Sequence, residues 1–218
     1  DTKTSKVLWS ESWQKRWNEL ASIKGNLAEN ILKTLDVSSK QNISKAPTNN
    51  ADAYEYYLKA KYKWENSKNV EDNEIARELL RKSLEIDDNL LVAKILLGRT
   101  YLGYIAVSPA KIEIIDLDLA MDIFEKVLIQ AEELGDNFWK GRALRNIGNV
   151  YSKKFNYDLS LDYYNRSLLI GEEINDMDGV QKCLHNLGML YWEKADPDKS
   201  LIYFTKSLKT AEEFGSEY

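Results

Sequence analysis

Cysteine, histidine and proline are almost missing from this chain. Its 218 residues include one cysteine, Cys183, one histidine, His185, and three prolines. A single cysteine excludes a disulfide framework and a zinc site built on cysteines. A single histidine confines any Ser-His-Asp or Cys-His chemistry to His185, and Cys183, two residues away, points elsewhere on a helix. No apolar run reaches the roughly 18 residues that span a bilayer, and Asp1 opens a polar stretch rather than a signal peptide. The chain therefore reads as soluble and without membrane contact. A cytoplasmic location is expected, and a periplasmic one also fits. A first residue that is not methionine is what a segment of a larger protein shows. A net charge of −5 argues against nucleic acid as a partner. With 44% hydrophobic and 30% charged residues, the chain can still bury a core.

What the sequence does have is repetition at a forty-residue interval. Ile147-Gly148-Asn149-Val150-Tyr151 returns as Leu187-Gly188-Met189-Leu190-Tyr191. Ala131-Glu132-Glu133-Leu134-Gly135 returns as Gly171-Glu172-Glu173-Ile174-Asn175, and again as Ala211-Glu212-Glu213-Phe214-Gly215. Phe124, Tyr164 and Phe204 keep the same interval, as do Leu128, Leu168 and Leu208. Between these marks apolar residues recur every three or four positions, as in Leu161, Tyr164 and Leu168, which predicts helices. Each unit reads as two antiparallel helices, A and B.

These residues resemble the tetratricopeptide repeat. The Leu-Gly and Tyr of its helix A are matched by Leu97-Gly98 with Tyr101, Ile147-Gly148 with Tyr151, and Leu187-Gly188 with Tyr191. The small and aromatic residues of its helix B are matched by Ala120-Phe124, Ser160-Tyr164-Ser167 and Ser200-Phe204-Ser207. A weaker unit precedes them, with Ala60 at the glycine position, then Ala76, Leu80 and Ser83. The resemblance implies an all-α right-handed superhelix over residues 51–218, in four repeats of approximately 51–90, 91–137, 138–177 and 178–218. The forty-residue step exceeds the usual ~34 by six, about one and a half helical turns, so the last helices B are expected to run long. Gly98 and Ala120 stand 22 residues apart where Gly148 and Ser160 stand 12 apart, which marks an insertion around residues 107–117. Asp196-Pro197 and Asn156 mark helix starts.

Residues 1–36 read as a short strand through Val7-Leu8-Trp9-Ser10-Glu11-Ser12-Trp13, then an amphipathic helix through Leu20, Ile23, Leu27, Ile31 and Leu35. Leu8 to Trp13, Ile23 and Ala28-Glu29-Asn30-Ile31 resemble the last strand and helix of the bacterial TolB-like domain. That resemblance implies a remnant of an upstream domain, and Trp9, Trp13 and Trp17 would belong to its core. The polar, unperiodic residues 37–50 read as a linker.

Catalytic chemistry finds no residue set. Asp116, Asp118 and Asp122 are the nearest approach to a metal cluster and read better as a solvated acidic face. No phosphate-cradling glycine loop exists. Neither metal nor cofactor is expected, and the chain reads as no enzyme.

In the tetratricopeptide family, helix A residues at fixed offsets from the glycine line a concave groove. Carried onto this chain, those offsets place Arg99, Arg142, Arg145, Asn149, Lys182, His185, Met189 and Trp192 in a peptide-binding groove, with Asn146 and Asn186 beside them. The resemblance thus sets a basic surface on an acidic chain. Guanidinium groups take carboxylates in paired hydrogen bonds, and asparagine amides can hold an extended backbone, so the expected guest is a protein or peptide with acidic segments. The alternative is a regulatory or sensory segment of a bacterial multidomain signalling protein, a nucleotide cyclase, kinase or winged-helix regulator whose other domains lie elsewhere. Leu201, Phe204 and Leu208 would form an uncovered face on the last repeat, which invites self-association.

Overall fold

The computed structural model describes residues 48–67, 69–103 and 114–214. The strand and helix expected within residues 1–36, most of the 37–50 linker, and residues 107–113 of the insertion lie outside them. Eight helices fill the described residues: α1 (Ala51–Glu65), α2 (Val70–Ile86), α3 (Leu91–Tyr101), α4 (Ile114–Glu133), α5 (Asn137–Lys153), α6 (Tyr157–Glu173), α7 (Met177–Glu193) and α8 (Pro197–Phe214). They form four A–B pairs, and no strand occurs among the described residues.

The forty-residue step is built differently from the expectation. Helices α5, α6 and α7 are all 17 residues long, so the added length is shared between A and B rather than given to B. Three-residue turns join them, with Gly135, Phe155, Asn175 and Ala195 in the left-handed region, φ between 55° and 65°. In each turn the next amide reaches back to close the helix, as Asn156 N does to Tyr151 O at 2.9 Å and Asp196 N to Tyr191 O at 2.9 Å. Asp136, Asn156 and Asp176 then cap the following helix by accepting from the amides of Trp139, Leu159 and Gly179. Twenty residues per helix and turn, twice over, make the repeat.

Glycine and ring set the crossing of each later pair. A Cβ on Gly148 would lie 2.6 Å from the Tyr164 ring, and one on Gly188 would lie 2.7 Å from the Phe204 ring. Serines tie the same crossing: Ser160 Oγ donates to Gly148 O at 2.9 Å and Ser200 Oγ to Gly188 O at 2.8 Å. Ser167 and Ser207 do likewise to Gly141 O and Gln181 O.

Curvature follows from which helices meet. Helix α1 touches α3, α3 touches α5 and α5 touches α7, whereas α2, α4, α6 and α8 make no such contacts with one another. The A helices therefore converge on the inner side of the right-handed superhelix. The two ends differ. Glu55 and Lys59 of α1 hold the positions of Ala143 and Ile147 and pair with each other in solvent at 2.6 Å. At the other end Leu201 and Leu208 are 68% and 55% exposed, where their counterparts Leu161 and Leu168 are partly buried against the next pair.

Candidate functional site

The inner sides of α5 and α7 run parallel and in register, since both are helices A of adjacent repeats. Three rungs join them. Arg142 Nη2 lies 3.7 Å from Asp178 Oδ2, Asn186 Nδ2 donates to Asn149 Oδ1 at 2.8 Å, and Ser152 Oγ donates to Glu193 Oε2 at 3.2 Å. Tyr164 of α6 reaches through the pair, and its hydroxyl donates to the same Asn149 Oδ1 at 2.8 Å. That leaves Asn149 Nδ2 with one stretched 3.5 Å bond to Asn146 Oδ1. The middle rung therefore leaves a donor hydrogen on Asn149 and the acceptor on Asn186 without a partner among the described residues.

The cations named from the sequence do not stand alike. Arg142 lies flat over the Phe138 ring at 4.2 Å, with Trp139 at 5.5 Å, and its buried Nε meets no acceptor. Burial and then Arg145 press on that guanidinium, while Asp176, Asp178 and Tyr57 partly offset them. Tyr57 of α1 is buried, and its hydroxyl is pushed up to about 12 by that burial and by Tyr54 and Glu65, with Arg142 and Arg99 pulling the other way. Arg99 stacks on Trp64 at 4.6 Å. The inner face of α1 and α3 is thus filled by its own rings and cations, and Ile95 and Leu96 of α3, with Leu102 at its end, are buried. Lys182 donates to both oxygens of Asp178 at 2.6 Å. Burial alone would raise the Asp178 carboxyl, but Lys182, Arg142 and Arg145 more than offset it and hold it below the ordinary aspartate value.

Arg145 is different. It makes no ion pair among the described residues and lies against the Cys183 thiol, which burial pushes up despite Arg145 and Ser167. Cys183 is fully buried, so it is no nucleophile within reach of solvent. His185 is exposed beside the Phe204 ring, with centroids 5.4 Å apart. Met189 and Trp192 follow it along α7, 44% and 65% exposed. Asn146 is only 2% exposed and donates to the Arg142 carbonyl of its own helix at 2.7 Å, so it offers nothing to an open surface.

Along α5 and α7, Arg145, Asn149 and Asn186 are half-buried and His185, Met189 and Trp192 are exposed, whereas Arg99, Arg142 and Asn146 meet partners within the fold. Reading the sequence by groove offsets missed Asp178 and Phe138. The four-residue steps from Asp178 to Lys182 and from Phe138 to Arg142 were the available signals. The acidic trio is also divided: Asp118 pairs with Lys154 at 2.5 Å and Asp122 with Lys126 at 2.7 Å. No group of three metal-ligating side chains occurs among the described residues, and none of their helices is long and apolar enough to cross a membrane.

Comparison with known proteins agrees on the fold. The family profile of the tetratricopeptide repeat matches residues 141–213. Aspartyl phosphate phosphatase F from Bacillus subtilis is similar in structure, with a TM-score of 0.60 at 18% identity over 75% of this chain. The chain spans 41% of that protein's length. BtubC from P. vanneervenii is also similar, with a TM-score of 0.58 at 14% identity, covering 90% of this chain and 75% of its own. No curated protein matches the chain. The resemblance of residues 1–36 to the TolB-like domain finds no support in these comparisons.

Proposed function

We propose that the chain is a non-catalytic interaction scaffold that holds an acidic, extended segment of another protein across α5 and α7. The observation that carries this reading is the conjunction of Arg145, a cation with no ion pair among the described residues, with the Asn149–Asn186 rung. A guanidinium takes a carboxylate, and one spare amide donor beside one spare acceptor matches a backbone peptide group. Arg142 supports the site from behind, because its stacking and its neighbours already occupy it. Asp178 tempers the positive potential, so a guest must bring enough negative charge to compete with it.

Capture on an array of acidic and neutral peptides tests this. Acidic sequences should be retained, the signal should fall as salt rises, and Arg145→Glu should abolish it with the helical circular dichroism unchanged. Equal capture by Arg145→Glu would return Arg145 to being a solvated cation. A second reading rests on the apolar end of the array: Leu201 and Leu208 favour self-association through α8. Sedimentation that stays monomeric at high concentration would remove it.

A further inference from the structure

Beside the polar rung lies a surface that an acidic guest alone would leave uncovered. Met189 and Trp192 stand three and six residues beyond Asn186 on α7, both with large exposed apolar area and no ring or ion contact to another described residue. Arg145 stands four residues on the other side of Asn149 on α5. Because the Asn149–Asn186 hydrogen bond sets the two helices level, the separation along their axes follows from the helical rise. Along the axes Arg145 and Met189 are seven residues apart, about 10 Å, and Arg145 and Trp192 are ten apart, about 15 Å; with about 8–10 Å between neighbouring helix axes the separations become about 14 and 18 Å. Charge is ordered along the same line. The cations Arg145 and Arg142 lie at one end, and the Glu193 carboxylate, held by Ser152, lies beside Trp192 at the other.

We infer that the guest is a bipartite segment in which one acidic residue meets Arg145 and one large apolar residue, four or five positions away, covers Met189 and Trp192. Four to five residues of extended chain span about 13–17 Å, which matches the separation of the two subsites. The intervening peptide group falls at the Asn149–Asn186 rung, where one donor and one acceptor are spare. Charge complementarity places the acidic residue at the Arg145 end, because Glu193 repels a carboxylate beside Trp192. This inference rests on the groove reading above and adds the apolar half of the guest and its spacing.

Fluorescence anisotropy with synthetic peptides tests it. Each carries one Glu, and a Leu placed four, five or nine residues away or replaced by Ser. Peptides with Leu at four or five should bind about tenfold more tightly than those with Ser or with Leu at nine, the gain expected for covering one aliphatic side chain. Met189→Ser combined with Trp192→Ser should erase that preference while retaining the weaker, salt-sensitive binding of the Glu-Ser peptides. Both side chains are exposed, so the melting temperature serves as the check that the fold is kept. Equal affinities for Leu and Ser peptides, with binding still lost in Arg145→Glu, would overturn the bipartite guest and leave the acidic groove standing. Absence of binding by every Glu-bearing peptide would overturn both.

Discussion

Repeat one and repeats three and four meet the same crossing of helix A and helix B with different pairs of residues. In the later repeats the pairs are Gly148 with Tyr164 and Gly188 with Phe204, and a Cβ on either glycine would run into the ring. In repeat one the equivalent positions hold Ala60 and Leu80, both fully buried. A ring needs the space of a missing Cβ, while leucine leaves room for one, so glycine and aromatic belong together as a unit of volume. The weaker match of repeat one to the family pattern is thus a compensated exchange rather than decay. Its outer face also differs: Glu55 and Lys59 stand where the later repeats bury Ala143, Ile147, Cys183 and Leu187.

The largest expected effect breaks the later version of the crossing. Gly148→Leu should lower stability by about 3 kcal/mol or more, since the Tyr164 ring is pinned by its hydroxyl bond to Asn149 and cannot simply retreat. Thermal denaturation followed by circular dichroism measures it. The converse tests repeat one. Leu80→Phe should cost about 1–3 kcal/mol against Ala60, and adding Ala60→Gly should return part of that loss, a coupling readable from the double-mutant cycle. Additive losses would show that the two positions are not a volume pair.

A smaller gain is expected at the turns. Ala195 and Phe155 hold φ of 55° and 59°, a conformation in which a Cβ crowds its own carbonyl. Ala195→Gly should therefore raise stability by about 1 kcal/mol, whereas the same exchange at Ala60, in the middle of α1, should lower it by about 1 kcal/mol. The smallest effect is acidic. The folded-state carboxyl of Asp178 is held below its ordinary value, so its contribution is present at neutral pH and disappears as the pH falls through about 4 and below. Asp178→Asn should remove that part of the acid transition while leaving neutral-pH stability lower by well under the cost of Gly148→Leu. An unchanged acid profile would show that the ion cluster adds nothing.

The fold was legible because the forty-residue interval repeats whole pairs of marks, Gly148 with Tyr164 and Gly188 with Phe204, and those marks have a steric cause. What the pattern concealed is hydrogen bonding and turn geometry. Ser160 and Ser200 read as merely small, yet their hydroxyls bond the carbonyls of the facing glycines. Phe155 and Ala195 give no glycine signal for the left-handed turn they occupy. At the candidate site, offsets from the glycine placed residues on the correct helices, but side-chain partners are set in three dimensions. Arg142 turned onto Phe138, four residues back on its own helix, and Arg99 onto Trp64 of α1, a contact that no spacing along one helix announces.

The open surface across α5 and α7 is the central claim, and nuclear magnetic resonance reads it residue by residue. An acidic peptide retained on the array is titrated into isotope-labelled protein, and shifted amide and side-chain signals are mapped. The account predicts changes at Arg145, Asn149, Asn186 and Met189, with Tyr57 and Arg99 unmoved because their surface is already filled. Shifts centred on Tyr57 and Arg99, or spread over α4 and α6 on the outer side, would contradict it.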